Sequence, residues 1–274
     1  MLGRNSCGCL ENISVYLNFS RSILMNNCAI ILAGGEGKRM KSDKPKTLSL
    51  VLGKPMLEWV MSALRNAGVQ DICVVKGYKK ECIDEFVSTL DFEVETVYQA
   101  ERLGTGHAVM MAKDFLEARK GGNVVILNGD APFMDSKTME ASLVQHKEGD
   151  FSATVISAMV DDPTGYGRIV RDEEGHLKSI VEQKDADEET LKLKEVNSGG
   201  FWFDTEKLLS VLGRISANNN AKEYYLPDAL KLLLSDGCKV GAYTAQCSDT
   251  VLGANDPAQL EELNNIAKNK GYTC

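Results

Sequence analysis

The 274-residue chain is poor in the residues that build metal and redox centres. It has three histidines, and none of its eight cysteines stands in a CxxC pair, which argues against a zinc site. Cys7, Cys9, Cys28, Cys73, Cys82, Cys238, Cys247 and Cys274 read as reduced thiols, and Cys28 and Cys73 sit in or beside apolar runs, where a thiol behaves as a small hydrophobe. Positive charge is also short: the formal net charge is −8, the opposite of what a general nucleic-acid binder carries. The first 24 residues contain no continuous apolar segment, because Asn12, Ser14, Asn18, Ser20 and Arg21 interrupt them. Neither a secretory signal nor a membrane span is expected there. Internal repeats and low-complexity linkers are missing as well. What remains is 43% hydrophobic and 26% charged, enough for one sizeable core without staples. The expected location is the cytoplasm, with neither nucleic acid nor membrane as partner. Met25 opens MNNCAIILAGG, which reads as a natural start. Residues 1–24 are therefore expected to be a dispensable N-terminal extension and 25–274 a single domain.

Strand-like and helix-like runs alternate. Ala29–Leu32 reads as a buried strand, Pro55–Ala67 as a helix stopped by Gly68, Ile72–Val75 as a strand and Lys79–Thr89 as a helix. Glu93–Tyr98 follows as a strand, Gly106–Arg119 as a helix and Val124–Leu127 as a fourth strand ending in Asn128-Gly129-Asp130. This rhythm predicts an α/β fold with a mostly parallel sheet covered on both faces. Ligands of such sheets lie beyond the carboxyl ends of the strands, where the segment after Leu32 and Asp130 both fall. Beyond Ser136 the pattern loosens. A helix to Lys147 is followed by a strand at Phe151–Met159 and a hairpin at Arg168–Val170 and His176–Val181. Asp185–Lys194 reads as a charged loop or short helix. Val196–Phe203 is the next strand, Ala221–Ser235 a helix, Val240–Ala245 a strand and Pro257–Lys268 the last helix.

The segment LAGGEGKRMKSDKPK, Leu32–Lys46, holds three glycines and five basic residues directly after a strand. It is not a Walker A loop, which would need glycine at Leu32 and a hydroxyl residue at Arg39. It is not a dinucleotide fingerprint either: Gly35 and Gly37 fit, but Met40 takes the third glycine's place. Glycines still let backbone N–H groups approach phosphate oxygens. Arg39 adds a planar fork and Lys46 a compact charge, stiffened by Pro45. A bare surface turn with a solvated basic run is the plainer alternative, and the order strand, glycine loop, basic cluster, Pro-Lys argues for a triphosphate.

Eight blocks in order carry a resemblance: LAGGEGKRMKSDKPKTL, YQAERLGTGHAV, NGDAPF, PTGYGRIVR, SIVEQKDA, EVNSGGFWF, NNNAKEYYLPD and LGANDPAQL. From about Cys28 to about Lys270 the chain resembles the sugar-1-phosphate nucleotidyltransferases, and within them the uridylyltransferase domain of the bifunctional bacterial enzyme that makes UDP-N-acetylglucosamine. The resemblance implies a Rossmann-like three-layer sandwich with a mostly parallel mixed sheet. It implies a nucleotide-binding half at 28–135, a sugar-binding half at 136–256 and a C-terminal helix at 257–274. It further implies UTP and a sugar-1-phosphate as small-molecule partners and Mg²⁺ as cofactor, and says nothing of oligomeric state. Arg39 and Lys46 would neutralise the triphosphate and the reacting phosphorus. Leu32, Gly34, Gly35 and Gly37 would line the nucleotide, and Gln99, Gly104 and Thr105 would read uracil. Asp130 and Asn255 would hold Mg²⁺, and Tyr166, Gly167, Glu182 and Asn197 would surround the sugar. No hexapeptide repeats follow, so the acetyltransferase half, coenzyme A use and the trimerisation that accompanies it are not expected.

The residues themselves leave plainer readings open. Asp130 alone reads as a turn residue, Asn255 as the cap of the last helix, and Glu182 as a solvated hairpin charge. His107 invites the role of general base, but at a helix start a structural role is the simpler one. The chemistry needs no base, since a phosphate monoester is already largely dianionic near neutral pH. The chain departs from the family's usual pattern at Gly34 (commonly Ala) and Lys38 (commonly Thr). NNNAKEYYLPD is one residue shorter than usual, which brings Glu223 toward the sugar. Two alternatives stand beside the uridylyltransferase reading: a relative using another sugar phosphate or nucleotide, and a non-catalytic nucleotide-sugar binder. The second predicts a broken charge set, yet Arg39, Lys46, Asp130 and Asn255 are all present.

Overall fold

In a computed structural model, residues 26–274 are described, and the extension expected at 1–24 lies outside them. Strand β1 (Asn27–Ala33) runs between β4 (Asp71–Lys76) and β6 (Asn123–Asn128), parallel to both. β5 (Glu95–Tyr98) continues the parallel set beyond β4. On the other side β10 (Glu195–Asp204) lies antiparallel between β6 and β7 (Ala153–Met159), and β11 (Val240–Thr244) pairs parallel with β7. The hairpin β8 (Arg168–Arg171) and β9 (Leu177–Val181) attaches to β10 through Val196 and Arg168. A separate small hairpin joins β2 (Leu50–Val51) to β3 (Lys54–Pro55). The sheet is thus mostly parallel and mixed, and it runs through both halves of the chain.

From Cys28 to Ala33 β1 is apolar without interruption because both its faces are covered. Cys28 and Ile30 enter one cluster, with Phe115, Leu116, Phe201 and Leu230. Ala29, Ile31 and Ala33 enter the other, with Leu57, Leu64, Ile83 and Trp202. The chain steps from β1 to β4 and β5 on one side and then crosses back to β6 on the other, so the strand order switches direction at β1. A crevice opens at the carboxyl ends of such strands.

The helices are α1 (Met56–Asn66), α2 (Lys80–Ser88), α3 (Thr105–Met111), α4 (Lys113–Glu117), α5 (Ser136–Glu148), α6 (Glu188–Leu191), α7 (Thr205–Leu212), α8 (Asp228–Ser235) and α9 (Pro257–Lys270). Three differ from the sequence reading. The helix expected at 106–119 is two pieces: at Ala112 the N–H turns back to Val109 O at 3.0 Å, and both pieces bury apolar residues in one cluster. The helix expected from Ala221 begins only at Asp228. The preceding backbone bonds elsewhere: Tyr224 N–H donates to Leu103 O at 2.8 Å, Tyr224 O accepts from Gly106 N–H at 2.7 Å, and Leu226 N–H donates to Thr105 Oγ1 at 3.0 Å. Helix α7 was not expected, although Asp204 caps it by accepting from Lys207 N–H at 2.9 Å.

A third cluster sets the site. Val51, Met56, Trp59, Phe133, Ala254, Leu263 and Ala267 pack together under α9, with Phe133 4.9 Å from the Tyr272 ring and Trp59 Nε1–H bonded to Val51 O at 3.0 Å. Three members of this cluster lie close in sequence to site residues: Val51 to Lys46, Phe133 to Asp130, and Ala254 to Asn255. Packing therefore brings three distant segments together at one place.

Candidate active site

At the carboxyl ends of β1 and β6 lies a cleft of about 880 Å³. Leu32, Gly34, Gly35, Arg39, Lys46, Gln99, Gly104, Thr105, Asp130, Tyr166, Gly167, Glu182, Asn197 and Asn255 all line it. Of the residues picked from sequence, Gly37 alone is not in that lining. Its φ of 61° places it in the left-handed region, and a Cβ there would stand 2.8 Å from Lys46 Cβ. Gly37 lets the loop close over the stem of Lys46.

Lys46 is the pivot. Its ammonium forms an ion pair with Asp130 and donates to Asn255 Oδ1 at 3.0 Å. Two hard oxygen donors from segments 125 positions apart thus face one positive charge, a donor set that suits a magnesium ion. Asn255 is not the cap of α9. Asp256 is, accepting from Gln259 N–H at 2.9 Å, while Gln259 Oε1 accepts from Asn255 N–H at 2.8 Å. With the cap at Asp256 and its own N–H taken up by Gln259, Asn255 keeps its side chain for the cleft. Gly253 supports Asp130 from below: a Cβ there would lie 2.8 Å from Asp130 O. Arg39 is exposed on the rim.

At the adjoining wall Gln99 is 4% exposed. Its amide nitrogen donates to Gly104 O at 3.1 Å and meets His107 Nδ1 at 3.1 Å. Its Oε1 faces Gly34, where a Cβ would stand only 2.8 Å away. The glycine at 34, where the family commonly has Ala, therefore leaves this oxygen room. Gly77 was missed: its Cβ would come within 2.5 Å of Gly34 O, and Tyr78 N–H donates to that oxygen at 3.1 Å. The signal was present, a glycine closing strand β4. Arg102 was also missed; it bonds Glu36 at 2.9 Å across the rim.

The far end is built by a bulge. The register of β10 against β7 shifts between Asn197 and Gly200, and Gly199, at φ 79°, leaves space for the Asn128 amide. Asn197 Oδ1 accepts from Gly199 N–H at 2.9 Å, and Asn197 N–H donates to Gly167 O at 2.8 Å. A Cβ on Gly167 would stand 3.0 Å from Glu182 Oε1. Arg168, 2% exposed, braces this turn from behind by donating to Tyr166 O and to Gln183 Oε1. Glu182 has no side-chain partner among the described residues. Burial, then the charges of Asp185 and Asp228, push its carboxyl above the usual range. Glu223 reaches the same lining.

The arrangement defines a class: residues 28–250 match the family model for nucleotidyl transferases, and the chain belongs to that family. Among curated relatives it is 47% identical over 246 residues to the bifunctional protein GlmU of Clostridium beijerinckii, covering 90% of this chain and 53% of that protein. It is 42% identical over 242 residues to the same-named protein of Acetivibrio thermocellus, covering 88% and 52%. The chain spans about half the length of the curated relatives it matches. The fold is also that of a crystal structure from Bacillus anthracis assigned as a glucose-1-phosphate thymidylyltransferase and bound to sucrose. Its TM-score is 0.72 at 21% identity, covering 90% of this chain and 98% of that one. Among the described residues no helix is long and apolar enough to cross a membrane.

Proposed function

We propose that the protein transfers UMP from UTP to N-acetylglucosamine-1-phosphate, releasing pyrophosphate. One observation carries this: Lys46, Asp130 and Asn255, far apart in sequence, meet on one charge in a cleft that Arg39, Gln99 and Glu182 also line. The glycine loop and Arg39 bind the triphosphate, with Lys46 beside them. Gln99 and Gly104 meet the uracil edge. Glu182, Asn197 and the Gly167 backbone offer acceptors and donors to sugar hydroxyls and the N-acetyl group. A phosphate oxygen of the sugar phosphate attacks the α-phosphorus in line; the new P–O bond forms as the bond to the β-phosphate breaks, and its electron pair leaves on pyrophosphate. Arg39 and Lys46 stabilise the charge on the transferred phosphoryl group, and catalysis is positioning plus charge neutralisation. Asp130 and Asn255 would hold Mg²⁺, which supplies further neutralisation when bound.

A pyrophosphate-release assay tests this directly. UTP, dTTP, CTP and ATP are each paired with N-acetylglucosamine-1-phosphate, glucose-1-phosphate and N-acetylgalactosamine-1-phosphate, with Mg²⁺ or EDTA. The highest kcat/KM is expected for UTP with N-acetylglucosamine-1-phosphate, lost in EDTA. A clear preference for another pair would assign the protein to a different nucleotidyltransferase. No turnover with any pair would leave a nucleotide-sugar binder.

A further inference from the structure

We infer that His107 is a positioning residue for base selection: as the neutral imidazole with its proton on Nε2, it holds the Gln99 amide so that the pocket presents an acceptor. This rests on the reading of Gln99 as the residue that meets the nucleobase.

The geometry fixes each atom in turn. Gly104 O can only accept, so the Gln99 atom 3.1 Å from it is the amide nitrogen. That nitrogen has two hydrogens and no acceptor capacity. Its second contact, His107 Nδ1 at 3.1 Å, must therefore be a lone pair. A neutral ring with Nδ1 bare carries its hydrogen on Nε2. Both Gln99 donors are then engaged on the protein side, and Oε1 is left toward Gly34 on the cleft. A buried amide with its nitrogen doubly engaged cannot turn over without setting Oε1 against two acceptors, Gly104 O and the bare His107 Nδ1.

An acceptor at this place selects by chemistry. Uracil and thymine carry a hydrogen on N3 and can donate to Oε1. Cytosine has a bare N3, which would face Oε1 lone pair to lone pair. Sites that hydrogen-bond a substrate group reject the analogue lacking it far more strongly than sites that select by size alone. His107 is half-buried, beside the Tyr224 ring at 6.1 Å, and no reacting group need touch it. Its effect passes through Gln99.

The test compares UTP with CTP by kcat/KM in the wild type, His107→Leu and His107→Asn. Leucine removes the acceptor; asparagine Oδ1 stands close to where Nδ1 stood. The UTP/CTP ratio is expected to fall by at least about tenfold in His107→Leu, as for one misoriented polar contact, and to recover to within about threefold of wild type in His107→Asn. A loss of packing alone would slow both nucleotides alike. A selective wild type whose ratio is unchanged in His107→Leu overturns the role of His107 while leaving the base reading intact. A wild type that uses UTP and CTP equally overturns the base reading and this inference with it. Should the leucine variant fail to fold, ¹⁵N shifts of the His107 ring in the wild-type protein decide: the Nε2–H tautomer supports the assignment and the Nδ1–H tautomer overturns it.

Discussion

The two ends of the cleft treat their polar groups differently. At the end of the cleft lined by Lys46, Gln99 and Arg102, these three groups already have internal partners. Lys46 has Asp130 and Asn255, the Gln99 nitrogen has Gly104 O and His107, and Arg102 has Glu36. At the end lined by Glu182, that carboxyl has no hydrogen-bond partner among the described residues, and its charge is opposed by burial and by two neighbouring aspartates. A paired group is stable while the cleft is empty, so a ligand must exchange with the partner it finds there. An unpaired, half-buried carboxylate is costly while empty and recovers that cost when donors arrive. One end is built for exchange, the other for reception.

The sharpest way to break this comparison is at the reacting charge. Arg39→Ala and Asp130→Ala are each expected to lower kcat by at least ~10²-fold, as for losing one preorganised charge-stabilising group. They should differ in stability. Arg39 is exposed and without a hydrogen-bond partner among the described residues, so its removal should leave the thermal midpoint unchanged. Asp130→Ala strands the Lys46 ammonium, so a lower midpoint is expected in calorimetry. Near-normal turnover in either variant would contradict the assignment.

Lys46→Met probes the exchange itself. The ammonium stands where two oxygen donors meet, so a divalent ion entering the nucleotide-free protein competes with it. Turnover should collapse in the variant, while Mn²⁺ binding without nucleotide, followed by paramagnetic resonance, should tighten by about fivefold, the equivalent of relieving one partly exposed ion pair. Unchanged or weaker binding would show that Lys46 does not hold the ion's place.

How much of this could be read from the residues follows from where each interaction reaches. The parallel core was legible because strands covered on both faces, such as Ala29–Leu32, are uninterruptedly apolar. The glycine loop and NGD were legible because they follow strand ends directly. Asn255 was ambiguous, since its neighbour Asp256 carries the same capping signal, and only the reach to Lys46 separates them. The false start of the helix at Ala221 has the same cause: its local pattern is helical, but residues 224 and 226 give their backbone groups to 103–106. Helix α7 was readable and overlooked, with Asp204 as cap and Leu208, Val211 and Leu212 on one face. Gly37 shows the limit of motif reading: a glycine in a glycine-rich loop can serve the loop's own closure without lining the cleft.

Glu182→Gln gives the smallest expected effect and the finest discrimination between the two ends. A carboxyl whose folded-state pKa is raised adds stability only below the usual glutamate range, and that stability is lost as pH rises through the raised value. At neutral pH the empty protein therefore carries a penalty that glutamine removes. Partial exposure limits it to roughly 1 kcal/mol or less, a rise of at most about 2–4 °C in the thermal midpoint for a domain of this size. The rise should vanish below the ordinary glutamate pKa, where both side chains are neutral. The same variant should raise KM for the sugar phosphate and leave KM for UTP alone, because its acceptor serves only the far end. A midpoint that falls at neutral pH would mean that Glu182 is held by partners in the empty cleft, and the contrast between the two ends would be lost.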